Sequence, residues 1–171
     1  IITLPGRSLD PAEVSATITR ERANLLVLIG DVMAKPVVAE WDAHAGDGTY
    51  DVTSLFAVVS SGVMWSTDTK AAMLRHNPAM MLVDSLGSSE AVGMGASISM
   101  GQQAARTARF DLGASSVVVT EDGRLVEPGS GEIGRLGVRG LTPVGYYKDP
   151  EKSAATFLTI DGARYSMPGD W

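Results

Sequence analysis

Cysteine is absent from the 171 residues, which excludes disulfides and thiolate chemistry and leaves the redox compartment open. No apolar run approaches the roughly 20 residues that a membrane helix needs. The opening residues do not read as a cleavable signal, so the cytoplasm is the expected location. Charge of one sign is nowhere concentrated. Fourteen basic against twenty acidic residues leave a formal net charge of −6, without the stripe that nucleic acid or a membrane surface would require. Histidine occurs only twice, and no His/Asp/Glu spacing suggests zinc. His44 and His76 each fall near a predicted helix end, where an imidazole suits the dipole better than it suits catalysis. Ser60-Ser61 lacks the Gly-x-Ser-x-Gly elbow, so a hydrolase triad is not expected.

What is present is a globular composition, 44% hydrophobic and 20% charged, over a length that suits one ordinary domain or two small ones. The chain starts at Ile1 and stops at Trp171 in mid-pattern, so a piece of a larger protein is expected. Three continuous apolar runs stand out: Leu25–Ile29, Leu55–Val59 and Ala79–Val83. Runs without polar alternation fit strands covered on both faces, as in a parallel sheet. Helical segments lie between them. Asp10-Pro11-Ala12-Glu13 combines an N-cap, a proline at the first helical position and a glutamate three residues on, with Val14 and Ile18 one turn apart. Asp31 can cap a second helix to about His44, with Pro36 either kinking it or marking its true start. Ser66 can cap a third, Thr67 to His76. This alternation predicts a doubly wound, mostly parallel α/β sheet.

The texture changes after Gly101. Val117–Thr120, the Asp122-Gly123 turn and Leu125-Val126 read as a hairpin. Gly131–Gly140 is strand-like but broken by glycine, as at the bends of a small barrel. Asp149-Pro150-Glu151 starts one further short helix. The expected organisation is an α/β subdomain over residues 1–104 and a β-rich, barrel-like subdomain with one short helix over 105–171. The boundary is set near residues 101–108.

The loop Val83-Asp84-Ser85-Leu86-Gly87-Ser88-Ser89-Glu90-Ala91-Val92-Gly93-Met94-Gly95 leaves the third apolar run. It fails both common phosphate motifs. Gly87 and Gly93 lack the Gly-Lys-Ser/Thr ending, and Gly93-Met94-Gly95 lacks the third glycine of a dinucleotide fingerprint. Parallel-sheet folds nevertheless bind ligands beyond the carboxyl ends of their strands, where Ser60-Ser61-Gly62 and Asp84–Glu90 fall. A glutamate beside phosphate makes sense if Mg²⁺ lies between them, since that ion is usually held by one or two carboxylates plus substrate phosphates. Ser88, Ser89 and the loop amides could then meet the phosphate oxygens. The bland alternative is a tight turn with a solvated glutamate. Met94 and Met100 read first as core packing and second as an adaptable apolar pocket.

The C-terminal third is more specific. Gly131-Glu132-Ile133-Gly134-Arg135-Leu136-Gly137-Val138-Arg139-Gly140, then Gly145-Tyr146-Tyr147-Lys148-Asp149-Pro150-Glu151-Lys152-Ser153-Ala154-Ala155-Thr156-Phe157, then Tyr165-Ser166-Met167-Pro168-Gly169-Asp170-Trp171 closely resembles the adenylate-forming superfamily. That group includes acyl-CoA synthetases, peptide-synthetase adenylation domains and firefly-type luciferases. Leu86-Gly87-Ser88-Ser89-Glu90 resembles its Tyr-Gly-x-Thr-Glu motif, with Leu for the aromatic and Ser for Thr. Ser61-Gly62-Val63-Met64 matches its Gly-Gly-Ala-Pro adenine loop loosely, without the proline. The flavour is most like a bacterial fatty acyl-CoA synthetase.

The resemblance implies a role for each matched position. Glu90 would bind Mg²⁺ with the ATP phosphates, and Ser89 would contact the α-phosphate. Ser61, Gly62 and Val63, with Ser85, Leu86 and Gly87, would border the nucleotide, and Asp170 would accept from both ribose hydroxyls. Gly93, Met94 and Gly95 would lie near the acyl channel. The implied substrates are ATP, a fatty carboxylic acid and CoA, with AMP and pyrophosphate released. A homodimer stays open. A phosphate loop with its lysine and a mobile C-terminal domain with a catalytic lysine are not in these residues, so the chain alone is expected to be inert. An adenylation domain for an amino or aryl acid, and a non-catalytic nucleotide-binding module, are the competing readings.

Overall fold

The computed structural model describes residues 1–101, 104, 106 and 109–169. The chain divides into two compact units: residues 1–84 with 97–109, and residues 85–96 with 110–171. It therefore crosses between them three times, after residues 84, 96 and 109.

In the first unit, α1 (Pro11–Glu21), α2 (Gly30–Ala43) and α3 (Thr67–His76) accompany strands β1 (Leu25–Leu28), β2 (Ala57–Ser61), β3 (Met81–Leu86, its last two residues counted with the second unit) and β4 (Gly95–Met100, its first two counted likewise). The strands lie in the order β1-β2-β3-β4, with β1 and β2 parallel from Leu25↔Ala57 to Leu28↔Ser60. Ile18, Val37, Val38, Trp41, Met73 and Leu74 from the helices close a core on Leu28, Val58 and Leu82 from the strands. Each such fully buried side chain contributes roughly 1.5–3 kcal/mol.

Local chemistry starts these helices much as the sequence suggests. Asp10 accepts from the amides of Ala12 and Glu13, and the Ser66 hydroxyl accepts from Thr69 N. Asp31 does not cap α2. Ile29 occupies that position with no side-chain bond, and Asp31 sits inside the first turn facing Ser66. Pro36 lies within α2, which runs on through it. The two-face coverage expected of the apolar runs also fails for β1. Leu25 and Val27 are 56% and 66% exposed, while their neighbour Leu28 is buried. A strand at the end of the order with helices against one face alternates inward and outward, whatever the outward residues are.

The second unit holds β5 (Asp111–Leu112), which pairs antiparallel with the Gly95–Ala96 end of β4. It also holds β6 (Ser116–Val119), β7 (Arg135–Arg139), α4 (Pro150–Thr156), β8 (Phe157–Ile160) and β9 (Ala163–Ser166). The last four strands form an antiparallel sheet in the order β6-β7-β9-β8. The sheet is open. The barrel-like expectation is corrected here, because β6 and β8 stand at opposite edges and do not pair to close a barrel among the described residues. The Asp122-Gly123 hairpin turn is present: Thr120 N donates to Arg124 O at 2.9 Å, Leu125 bridges antiparallel to Val119, and Val126 N donates to Val118 O at 2.8 Å. Within residues 131–140, Gly134 serves close approach, since a Cβ there would collide with the Val119 carbonyl, whereas Gly131 and Gly140 stand in open space at positive φ. No helix among the described residues is long and apolar enough to cross a membrane.

Candidate functional site

Two stretches carry the sequence-predicted site residues, one in each unit. In the first unit β2 ends at Ser61, and Gly62, Val63 and Met64 follow as an exposed loop. The start of α2 seats that loop. The Gly30 amide donates to the buried Ser60 hydroxyl at 2.8 Å, and the Asp31 amide donates to the Met64 carbonyl at 3.1 Å. Gly30 has φ +43°, and a Cβ there would lie 2.5 Å from the Met64 oxygen and 2.7 Å from Val63 Cγ2, so only glycine fits. Asp31 Oδ1 accepts from the amide and hydroxyl of Ser66 at 2.9 and 3.1 Å, fixing the far end of the loop. Ser61, Gly62 and Val63 are thus presented to solvent on a braced turn.

In the second unit Ser85 and Leu86 are half-buried and Gly87 is exposed. The next four residues form a tight turn. Ser88 N donates to Ala91 O at 3.0 Å, and Ala91 N returns to Ser88 O at 3.2 Å. The Ser88 hydroxyl oxygen accepts from both Glu90 N and Ala91 N, each at 3.2 Å. A serine hydroxyl is short enough to reach its own backbone two and three residues on. This corrects one expectation: Ser88 and the amides of Glu90 and Ala91 brace the turn instead of facing outward. Ser89 keeps its side chain at the surface.

Glu90 is half-buried, and the Tyr146 hydroxyl donates to its Oε1 at 2.7 Å. That bond is the main cause holding Glu90 below the usual carboxylate range, with its own amide, the Ser88 hydroxyl and the Lys152 charge adding to it. The same bond pushes the Tyr146 phenol up. Glu90 is therefore fully charged at neutral pH. Among the described residues no three His, Asp or Glu side chains gather into a group that could hold a metal. A lone ionised carboxylate beside an exposed serine suits an ion that takes its remaining ligands from substrate phosphates and water, as Mg²⁺ does.

Gly93 is exposed with φ +74°, and Gly95 is buried against Phe110 and Asp111. Met94 is fully buried with Ala91, Leu136 and Val138 in the unit's core. Asp170 lies outside the described residues. Sequence reasoning missed Tyr146 and Lys152 as neighbours of Glu90. Both lie in the Gly145–Phe157 motif that carried the resemblance, but a partner 56 residues away leaves no local signal.

No family model matches the chain. It is 40% identical over 170 residues to a medium/long-chain-fatty-acid–CoA/3-oxocholest-4-en-26-oate–CoA ligase of Mycobacterium marinum, covering 99% of this chain and 30% of that protein. It is 36% identical over 163 residues to a 3-oxocholest-4-en-26-oate–CoA ligase of Rhodococcus rhodochrous, covering 93% of this chain and 29% of that protein. The chain thus spans about 30% of the length of the curated relatives it matches. Among solved structures, the N-terminal subdomain of Klebsiella oxytoca NpsA in complex with 3-hydroxyanthranilyl-AMSN superposes with a TM-score of 0.73 at 20% identity, over 98% of this chain and 43% of that one. A nonribosomal peptide synthetase gives 0.78 at 20% identity, over 96% and 18%. These structures share the fold, and the ligases share the sequence. The chain belongs to the adenylate-forming, or AMP-binding, superfamily.

Proposed function

We propose that the chain is a segment of an ATP-dependent acyl-CoA ligase of the cytoplasm that adenylates a fatty or sterol-derived carboxylic acid and transfers the acyl group to CoA. The 40% identity to a ligase named for such acids, over nearly the whole chain, carries this reading. The geometry of the Ser88 turn supports it. Glu90 would hold Mg²⁺ together with the ATP phosphates, while the exposed Ser89 hydroxyl would contact the α-phosphate. The ion, when bound, offsets phosphate charge as the carboxylate oxygen attacks the α-phosphorus. Ser61, Gly62 and Val63, with Ser85, Leu86 and Gly87, would border the nucleotide. Leu86 offers apolar contact without aromatic stacking. Gly93 to Gly95 would flank the acyl channel through backbone, since the Met94 side chain is committed to the core.

The test is pyrophosphate release by the full-length ligase across a panel of fatty, sterol-side-chain, amino and aryl carboxylic acids. Turnover of the first two classes is expected. Turnover confined to amino or aryl acids would overturn the acyl-CoA reading in favour of another adenylation activity.

Asp170 is assigned to the ribose hydroxyls by the resemblance. Each hydrogen bond to a charged group is worth about 1.5–3 kcal/mol, which water competition reduces to a joint loss of roughly 2–3 kcal/mol, on the order of fiftyfold in affinity. Asp170→Ala should therefore weaken ATP strongly and 2′-deoxy-ATP less, because one partner is already gone. Equal fold-changes in the two dissociation constants would remove Asp170 from the site.

A further inference from the structure

The first helical turn of the Gly145–Phe157 motif is built around one tyrosine, Tyr146. Asp149 caps α4 by accepting from Lys152 N at 2.9 Å. The Ser153 hydroxyl donates to the Asp149 carbonyl at 2.6 Å and accepts from the Tyr146 amide at 2.8 Å. The Tyr146 ring packs on Phe157, with centroids 5.7 Å apart, and the Lys152 ammonium lies 4.3 Å from the ring centroid. The phenol is thereby held from its backbone, its edge and its face. Its hydroxyl ends 2.7 Å from Glu90 Oε1. A side chain with so many restraints loses little freedom by making that bond, so the restraints act on Glu90.

We propose that Tyr146 is a positioning residue for Glu90: it occupies one side of the carboxylate and turns the other oxygen toward the Mg²⁺–nucleotide. This inference rests on the metal role assigned to Glu90. The capped α4 motif is the frame that holds Tyr146 in place. A half-exposed glutamate without this partner would spread over several rotamers, and each would have to be lost when the ion binds.

The experiment uses the full-length ligase and α,β-methylene-ATP, which the reaction cannot cleave, with dissociation constants measured by calorimetry in excess Mg²⁺ and in EDTA. The quotient of the two constants is the metal-dependent gain in affinity. Tyr146→Phe keeps the ring on Phe157 and under Lys152 and removes only the hydroxyl. It should lower that gain by about fivefold, a moderate effect for a hydrogen bond to a half-exposed charge, and leave the EDTA value and the thermal midpoint unchanged. In a Glu90→Gln background the same change should do nothing more, because the group through which it acts no longer binds the ion. An equal loss with and without metal, or a full additional loss on Glu90→Gln, would overturn the positioning role while leaving Glu90 as the metal ligand. If Glu90→Gln itself leaves the gain intact, the metal assignment falls and the inference falls with it. Lys152→Gln is the second variant. It leaves the phenol in place and should lower the gain by less than Tyr146→Phe; a larger loss would transfer the role to the lysine.

Discussion

Glu90→Gln in the full-length ligase is expected to slow magnesium-dependent pyrophosphate release by on the order of a hundredfold or more, with no loss of folding. The substitution is close to isosteric. The glutamine carbonyl can still accept from the Tyr146 hydroxyl, and the Ser88 turn is held by backbone and serine atoms that the change leaves alone. What disappears is the negative charge. A neutral amide is a poor ligand for a hard divalent cation. The wild-type carboxylate is held below its ordinary range, so its charge is present throughout neutral pH and is lost only as the medium is acidified through that lowered value. Activity lost by wild type near neutrality thus has to come from another group. The measurement is initial rate against magnesium concentration for both proteins, with thermal midpoints as the control for folding. An unchanged rate at every magnesium concentration would leave Glu90 as a solvated turn residue.

Legibility followed how local each cause was. Asp10 and Ser66 could be read as caps because a cap acts within three residues, and both accept the expected amides. Asp31 looked like a cap by the same rule, but its carboxylate goes to Ser66, 35 residues away, and no local pattern reports that. The three apolar runs marked strands correctly in kind. They could not show that β1 stands at the end of the strand order, with Leu25 and Val27 left uncovered in this chain. Glycines in residues 131–140 were read as barrel bends, whereas Gly134 admits the Val119 carbonyl and the sheet stays open. At the candidate site the loop with Glu90 was legible from its residue types. Tyr146 was not, because its role depends on a contact that only folding creates.

Lys70 and Asp84 form the other arrangement that a local pattern could not complete, and breaking it is expected to cost about 3–5 kcal/mol, the range for a buried pair that loses one partner. Lys70 lies on the core stripe of α3 with Met73 and Leu74, and its side chain is 1% exposed against 7% for Asp84. Nζ stands 3.0 Å from Asp84 Oδ2 and 5.7 Å from the centroid of the Trp65 ring. Lys70→Met keeps an unbranched chain of similar reach, which limits the cavity, but leaves the Asp84 charge buried without its cation. Asp84→Leu has the nearest apolar shape to aspartate, so the double variant Lys70→Met/Asp84→Leu should regain most of the loss. Urea unfolding of the chain followed through Trp41 and Trp65, both buried in the first unit, reads the effect. An exposed, screened ion pair would instead give under about 1 kcal/mol for the single change and simple additivity for the double. That result would mean the pair is open to water, and the seat of the strand end just before Ser85 would have to be sought in the packing of Leu82 and Val58 alone.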